Sequence, residues 1–192
     1  MNYLETIKIE NGKPCHLEYH IKRMEQTIGH RLLFPFQLQP PPEFCDGIVK
    51  CRMVYHASAI LSIEYLPYTF PVITSLQRVV GDKLDYHFKY EDRSRMNALK
   101  STHCTLAGED ILILQDGFVT DTSFCNVVFE NRRGLFTPST PLLHGTKRQY
   151  LLDTGRIQAC LIRESEILQY ENVYLINAMI DLQDRVMVPL RR

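Results

Sequence analysis

No apolar run in this chain approaches the ~20 residues that a membrane-crossing helix requires. The opening Met1-Asn2-Tyr3-Leu4-Glu5 has no basic region followed by an apolar stretch, so no signal peptide is expected. Together these absences lead us to expect a cytoplasmic protein. An excess of charge is missing as well, since 22 basic side chains meet 22 acidic ones. That balance argues against a large non-specific nucleic-acid or membrane-binding surface, so neither partner is expected, and it leaves a local anion site open. Six cysteines (Cys15, Cys45, Cys51, Cys104, Cys125, Cys160) are scattered, with no CxxC pair and no histidine cluster at ligand spacing. Buried, reduced thiols are expected rather than a disulfide framework or a bound metal. Repeats and low-complexity tracts are also lacking.

What is present is an ordinary globular balance over 192 residues, enough for one sizeable domain or two small ones sharing a core. Tyr3 to Glu10 reads as a strand running into an Asn11-Gly12 turn, a strong hairpin signal. Leu17, Ile21, Met24, Ile28 and Leu32 recur at helical spacing, predicting a helix over 17–33. Pro40-Pro41-Pro42 breaks it and starts a new helix near Glu43. Strands follow over 51–56 and 59–65, then a linker at 67–71 where Pro67 and Pro71 bracket the chain. The expected organisation is a small α+β domain over 1–66 and a larger β-rich domain with helices over 72–192.

In the second domain a strand is expected over 72–80 and a helix over 92–107, with Asp92 as N-cap and Met96, Leu99 and Cys104 among its inward positions. Ile111 to Leu114 is a buried strand turned by Asp116-Gly117, and 127–136 a hairpin around Asn131-Arg132-Arg133. A helix begins close to Gly145, and further strands lie over 157–162 and 173–176.

Several blocks carry chemistry in their order: Leu4-Glu5-Thr6-Ile7-Lys8, His20-Ile21-Lys22-Arg23, His87-Phe88-Lys89-Tyr90-Glu91-Asp92-Arg93, Asp116 to Asn126, and Thr137 to Arg148. Alone, Lys89 reads as a solvated side chain, Asp121 as a turn aspartate and Arg23 as an exposed helix arginine. In sequence, they resemble the class IV aminotransferases, fold-type IV pyridoxal-phosphate enzymes. Such a cofactor needs an amine to hold it, an acid beneath its ring nitrogen and donors for its phosphate.

That resemblance implies a two-domain α+β fold like that of D-amino-acid aminotransferase, with pyridoxal 5'-phosphate in the interdomain cleft, and a homodimer acting on a small amino substrate. Lys89 is then the catalytic lysine, forming the cofactor's imine and shuttling the substrate's Cα proton. Phe88, Tyr90 and Arg93 are expected to depress its pKa. The cofactor-binding set is Arg23, Lys89, Asp121, Asn126, Gly145, Thr146, Lys147 and Ala178. Arg23 matches the arginine of the His-x-x-Arg element that binds phosphate, and Gly145-Thr146 opens a helix whose N–H groups suit an anion. Asp121 stands five residues before Asn126, where relatives carry glutamate, and keeps the pyridine nitrogen protonated. Lys147 stands where relatives carry threonine and adds charge near the phosphate. Ile176-Asn177-Ala178-Met179 resembles a strand end offering further backbone contacts. Cys125 is expected to be buried filler.

Most relatives carry an extra segment before the first strand, so part of the usual substrate-recognition surface is expected to be absent or rebuilt. The Lys-x-x-Asp-Arg stretch (Lys89, Asp92, Arg93) is closer to 4-amino-4-deoxychorismate lyases than to longer transaminases. Such a lyase works through an external aldimine to give p-aminobenzoate, for folate, and pyruvate. A branched-chain or D-amino-acid aminotransferase is the alternative, and a cofactor-binding protein without turnover a third.

Overall fold

The computed structural model describes residues 1–33, 36 and 38–190. The chain divides into two compact units: Met1–Thr69 with Phe88–Asp92, and Phe70–His87 with Arg93–Arg192. The segment bearing Lys89 therefore groups with the first unit, although it lies within the 72–192 span.

The first unit is built on an antiparallel sheet. Strand β1 (Tyr3–Glu10) turns through Asn11-Gly12 into the two-residue β2 (Lys13–Pro14). Both turn residues have positive φ, 49° and 75°, the conformation that makes Asn-Gly a hairpin dipeptide. Strands β3 (Ile48–His56) and β4 (Ala59–Pro67) complete the order β2-β1-β3-β4. Across β1 and β3, Ile7 faces Cys51 and Ile9 faces Val49. These four, with Met53 and Tyr55, are buried against Met24 of helix α1 (Leu17–Ile28). Strand periodicity puts Glu5 in phase with Ile7 and Ile9, on the core face of β1, and it is wholly buried.

Helix α1 ends at Ile28, short of the expected 33, because Gly29 adopts φ 79° and its N–H closes on the Glu25 carbonyl. That left-handed C-cap is the usual stop. Leu32 packs on the core from beyond the helix. The helix expected near Glu43 is a single 3-10 turn, Pro42–Phe44.

Among its described residues the second unit carries eight strands. Strand β5 (Ser75–Val80) begins three residues later than expected; helix α2 (Ser94–His103) is shorter than 92–107 and starts after Arg93 rather than on an Asp92 cap. Its inward anchor is Met96. Then come β6 (Glu109–Gln115), β7 (Phe118–Thr122), β8 (Asn126–Asn131), β9 (Gly134–Pro138), α3 (Thr146–Asp153), β10 (Gln158–Cys160), β11 (Asn172–Ile176) and β12 (Met187–Pro189). The order is β10-β9-β8-β7-β6-β5, with β11 pairing both β8 and β12. Pairs β5·β6 and β9·β10 are parallel and the rest antiparallel.

Strand β6 is buried along Ile111 to Leu114, as its unbroken apolar run requires. Val128, Leu151, Ile157, Tyr174, Ile176 and Leu182 seat α3 on the sheet. The cysteines are free, but only Cys51 and Cys125 are buried and Cys45 is exposed, so the expectation of buried thiols holds for those two alone. Among the described residues no helix is long and apolar enough to cross a membrane, and no group of three His, Cys, Asp or Glu is placed to hold a metal ion.

Candidate functional site

The first unit gathers ionisable groups beneath α1. Arg23 donates through Nε to Glu5 Oε1 at 2.8 Å and through Nη2 to Glu5 Oε2 at 2.6 Å, a two-pronged contact that fixes the guanidinium plane. His20 Nδ1 lies 2.6 Å from Glu5 Oε2. His20 and Arg23 are neighbours because they stand three positions apart, on one helix face. Burial alone would raise the Glu5 carboxyl; Arg23 and His20 outweigh it and hold the pKa at about 2. Burial pushes His20 below its ordinary value, against the pull of Glu5, and the charges of Arg23 and Lys89 push the same way.

Lys89 is tied to the same strand. Its carbonyl accepts the Leu4 N–H at 2.8 Å, and Tyr90 bridges Tyr3. Phe88 and Tyr90 form an aromatic group with Tyr3, at centroid distances of 5.9 Å each. Phe88 and Tyr90 thus place aromatic rings on either side of Lys89 in the chain, and the charge of Lys89 acts on the His20 imidazole.

In the second unit the short β7–β8 connection sets Asp121 opposite Asn126. Thr122 stabilises that turn, its hydroxyl accepting the Cys125 N–H at 3.0 Å. Asp121 Oδ1 accepts Asn126 Nδ2 at 2.7 Å, and Asp121 Oδ2 accepts the Leu143 N–H at 2.9 Å. Asn126 Nδ2 also donates to the Leu143 carbonyl at 2.8 Å. Burial lifts the Asp121 carboxyl to about 6 despite these donors and the charge of Arg148. A buried acid held mainly by neutral donors is a place where a cationic ring nitrogen would gain strongly.

Gly145 caps α3, and a Cβ built there would lie 1.8 Å from Asn126 Oδ1. Only glycine lets the chain pass Asn126 and begin the helix at Thr146. Lys147 and Arg148 are buried in the first turn. Lys147, expected to lend its charge to a phosphate, directs its ammonium to Asp181 Oδ2 at 2.7 Å. Arg148 Nη2 donates to the Pro138 carbonyl at 2.8 Å. Ala178 sits in a tight turn closed by the pair Asn177 and Ile180, in which Asn177 Oδ1 accepts the Met179 and Ile180 N–H groups at 2.8 and 3.1 Å. Asn177 Nδ2 reaches Cys125 Sγ at 3.1 Å, so Cys125 packs within the second unit's site. Arg93 Nη2 donates to the Ser123 carbonyl.

Arg23 and Lys89 thus gather in the first unit, and Asp121, Asn126, Gly145, Thr146, Lys147 and Ala178 in the second. Sequence reasoning passed over Glu5 and Asp181. A charged residue in the apolar phase of β1 was the available signal for Glu5; for Asp181 there was none.

Residues 71–188 match the family model for class IV amino-transferases. A Haemophilus influenzae protein of uncharacterised role is 34% identical over 183 residues, covering 91% of this chain and 96% of its own. This chain belongs to the class IV aminotransferase family. A crystal structure from Haemophilus somnus, provisionally named a 4-amino-4-deoxychorismate lyase, shares 32% identity with a TM-score of 0.78, covering 93% of this chain and 96% of its own. The PLP-bound form of a hypothetical aminotransferase from Mycobacterium tuberculosis shares the fold at 16% identity, with a TM-score of 0.70 over 93% of this chain and 78% of its own. The architecture is that of the fold-type IV enzymes of this family, and membership implies pyridoxal phosphate. The residue types it calls for are present: a lysine, a buried acid, and a helix start that only glycine permits.

Two consequences can be measured. Gly145→Ala should displace Asn126, which its bonds to Asp121 and Leu143 prevent from yielding freely. We expect a loss of about 1–3 kcal/mol in urea unfolding together with weaker cofactor binding. The acid groups of the first unit set a pH dependence. Glu5 and His20 both have folded pKa values below their unfolded ones, so the unfolded state binds more protons and stability is lost on acidification. The loss should begin near pH 6.5 with His20 and continue from about 4.5 towards 2 with Glu5. In Glu5→Gln the lower stretch of that loss should disappear from urea midpoints measured across the range.

Proposed function

We propose that this protein is a pyridoxal-phosphate-dependent 4-amino-4-deoxychorismate lyase, releasing p-aminobenzoate and pyruvate. The observation that supports this reading most is the likeness over nearly both whole chains, at 32% identity, to the Haemophilus somnus structure provisionally given that name. The Lys89-x-x-Asp92-Arg93 stretch favours it too.

In this reading Lys89 Nζ holds the cofactor covalently. Arg23 and the N–H groups of Gly145 and Thr146 hold its phosphate, with the backbone at Ala178 adding contacts. The Asp121 carboxylate, kept in place by Asn126 and the Leu143 N–H, holds a proton on the pyridine nitrogen. Bound pyridoxal phosphate supplies an electron sink for the substrate's Cα–H bond electrons. The free amine of Lys89 Nζ would be the base that takes the proton from the substrate's Cα. The aromatic group of Tyr3, Phe88 and Tyr90 excludes water from the lysine's flank.

The reading includes a homodimer. Leu61 and Ile63, exposed on the edge strand β4, support self-association, which sedimentation velocity would measure.

Purified holoenzyme incubated with aminodeoxychorismate should form p-aminobenzoate and pyruvate in equal amounts. New amino acids formed instead from amino-acid and keto-acid pairs would make it a transaminase, and neither product would make it a binding protein.

Lys89→Ala should abolish turnover and leave the fold intact, as the lysine supplies bonding and proton transfer rather than packing. A borohydride-trapped cofactor mapped to another lysine would overturn that assignment. Asp121→Asn removes the charge and keeps the size. Turnover should fall by orders of magnitude with cofactor still bound, while Asp121→Glu stays active. Full activity in Asp121→Asn would give the ring-nitrogen role to another acid.

A further inference from the structure

The contacts of the second unit close into a ring. Asp121 binds Asn126, and Asn126 lies against Leu143 and Gly145. Gly145 leads into α3, and Lys147 of α3 binds Asp181. Asp181 follows the turn that starts at Asn177, whose amide returns to Cys125, next to Asn126. Two members of this ring offer backbone groups, Gly145–Thr146 and the Ala178 turn. The Lys147–Asp181 ion pair is the side-chain link between them.

That link is unusual for its place. A lysine in the first turn of a helix meets the positive end of the helix dipole, so it costs stability unless a carboxylate offsets it. It is also only 5% exposed, where an unpaired ammonium would be expensive. Asp181 is 8% exposed and fully engaged: Oδ2 takes Lys147, Oδ1 takes the Leu182 N–H at 2.7 Å, and Arg156 Nη1 stands 3.7 Å away. Its own N–H donates to Asp184 Oδ2 at 2.7 Å. Burial would raise the Asp181 carboxyl; the Lys147 bond and charge outweigh it, aided by the Leu182 N–H and Arg156, and hold it below the usual range. The carboxylate therefore stays ionised, and the pair is a fixed strut rather than a surface contact.

We propose that Lys147 and Asp181 are positioning residues. Their ion pair latches the turn at 177–181 to the start of α3, so that the Gly145–Thr146 donors and the Ala178 turn keep one spacing for the cofactor's phosphate. Lys147 acts through this latch and does not itself contact the phosphate. The inference rests on the reading of the protein as a pyridoxal-phosphate enzyme.

Equilibrium dialysis of the apoprotein against pyridoxal phosphate and, separately, against pyridoxal tests it, since pyridoxal lacks only the phosphate. Asp181→Asn preserves the acceptor for the Leu182 N–H and removes the charge that holds Lys147. Asp181→Asn and Lys147→Met should each weaken pyridoxal-phosphate binding by roughly tenfold or more. Both should leave pyridoxal binding near that of the wild type, and the double variant should be no weaker than the worse single one. Asp181→Glu should bind pyridoxal phosphate nearly as the wild type does. If Lys147 touched the phosphate directly, Asp181→Asn would release it, and binding would hold or tighten; that result overturns the latch. A parallel loss for both ligands, tracking a lower melting temperature, makes the pair merely structural and overturns it as well. A wild-type protein that prefers pyridoxal phosphate no more than pyridoxal would sink the cofactor reading itself, whatever the variants do.

Discussion

The side chain of Asn126 is the contact on which the second unit's site depends. Its amide nitrogen serves two acceptors, the Asp121 carboxylate and the Leu143 carbonyl, and its oxygen lies where Gly145 would carry a Cβ. One planar group thereby ties β7 to β8 and both to the loop entering α3. Two of its restraints are hydrogen bonds, the one to Asp121 buried and the one to Leu143 part-buried, both costly to leave unmade in a low-dielectric setting, and the third is the close approach of Gly145. Free rotation of Asn126 is thus suppressed, and the backbone at Gly145 inherits a fixed position. A helix start proposed to hold an anion needs that rigidity, because a donor that wanders loses its entropic advantage.

The two buried carboxylates show opposite designs. Glu5 has Arg23 and His20 against it, and its carboxyl falls to about 2. Asp121 has mainly neutral donors, and its carboxyl rises to about 6. The first is an acid already satisfied by protein cations, suited to orienting an arginine. A guanidinium has more than one edge that can offer paired donors, and the Glu5 fork decides where the others lie. The second is an acid whose ionised form is disfavoured until a cation arrives, suited to a ligand. Both positions lie on buried strand faces, so the difference comes from which charges the neighbouring elements present.

Much of the architecture was legible because it rests on short-range signals. Asn11-Gly12, Asp116-Gly117 and the apolar run of β6 each carry their own geometry, and the structure has them where the pattern put them. Element ends were less legible. Gly29 stopped α1 through a left-handed cap inside a stretch whose apolar spacing continued to Leu32. Phe88–Asp92 joined the first unit because the Leu4 N–H and Tyr3 reach it, a pairing across 85 residues that no local pattern encodes. Site residues followed the same division. Asp121, Asn126 and Gly145 were singled out through order and spacing, and the structure brings the three together. Glu5 and Asp181 were missed because their roles are set by partners 18 and 34 positions away.

The departures from the family's pattern are explained by what surrounds them. Aspartate at position 121 is one methylene shorter than the glutamate that the family resemblance leads one to expect, and the Leu143 N–H and the Asn126 amide each take one of its oxygens. With both oxygens anchored, the shorter side chain is held as firmly as a longer one would be. Lysine at position 147 brings a charge to the wrong end of a helix, and Asp181 answers it from a neighbouring turn. In each case the substitution is offset by a partner within the same unit, at distances of 2.7 to 2.9 Å. Replacing either partner should therefore be costly, since a buried charge would be left unanswered. At both positions the bracing comes from side chains and backbone groups close by in the second unit, so the local backbone is held by its own neighbours.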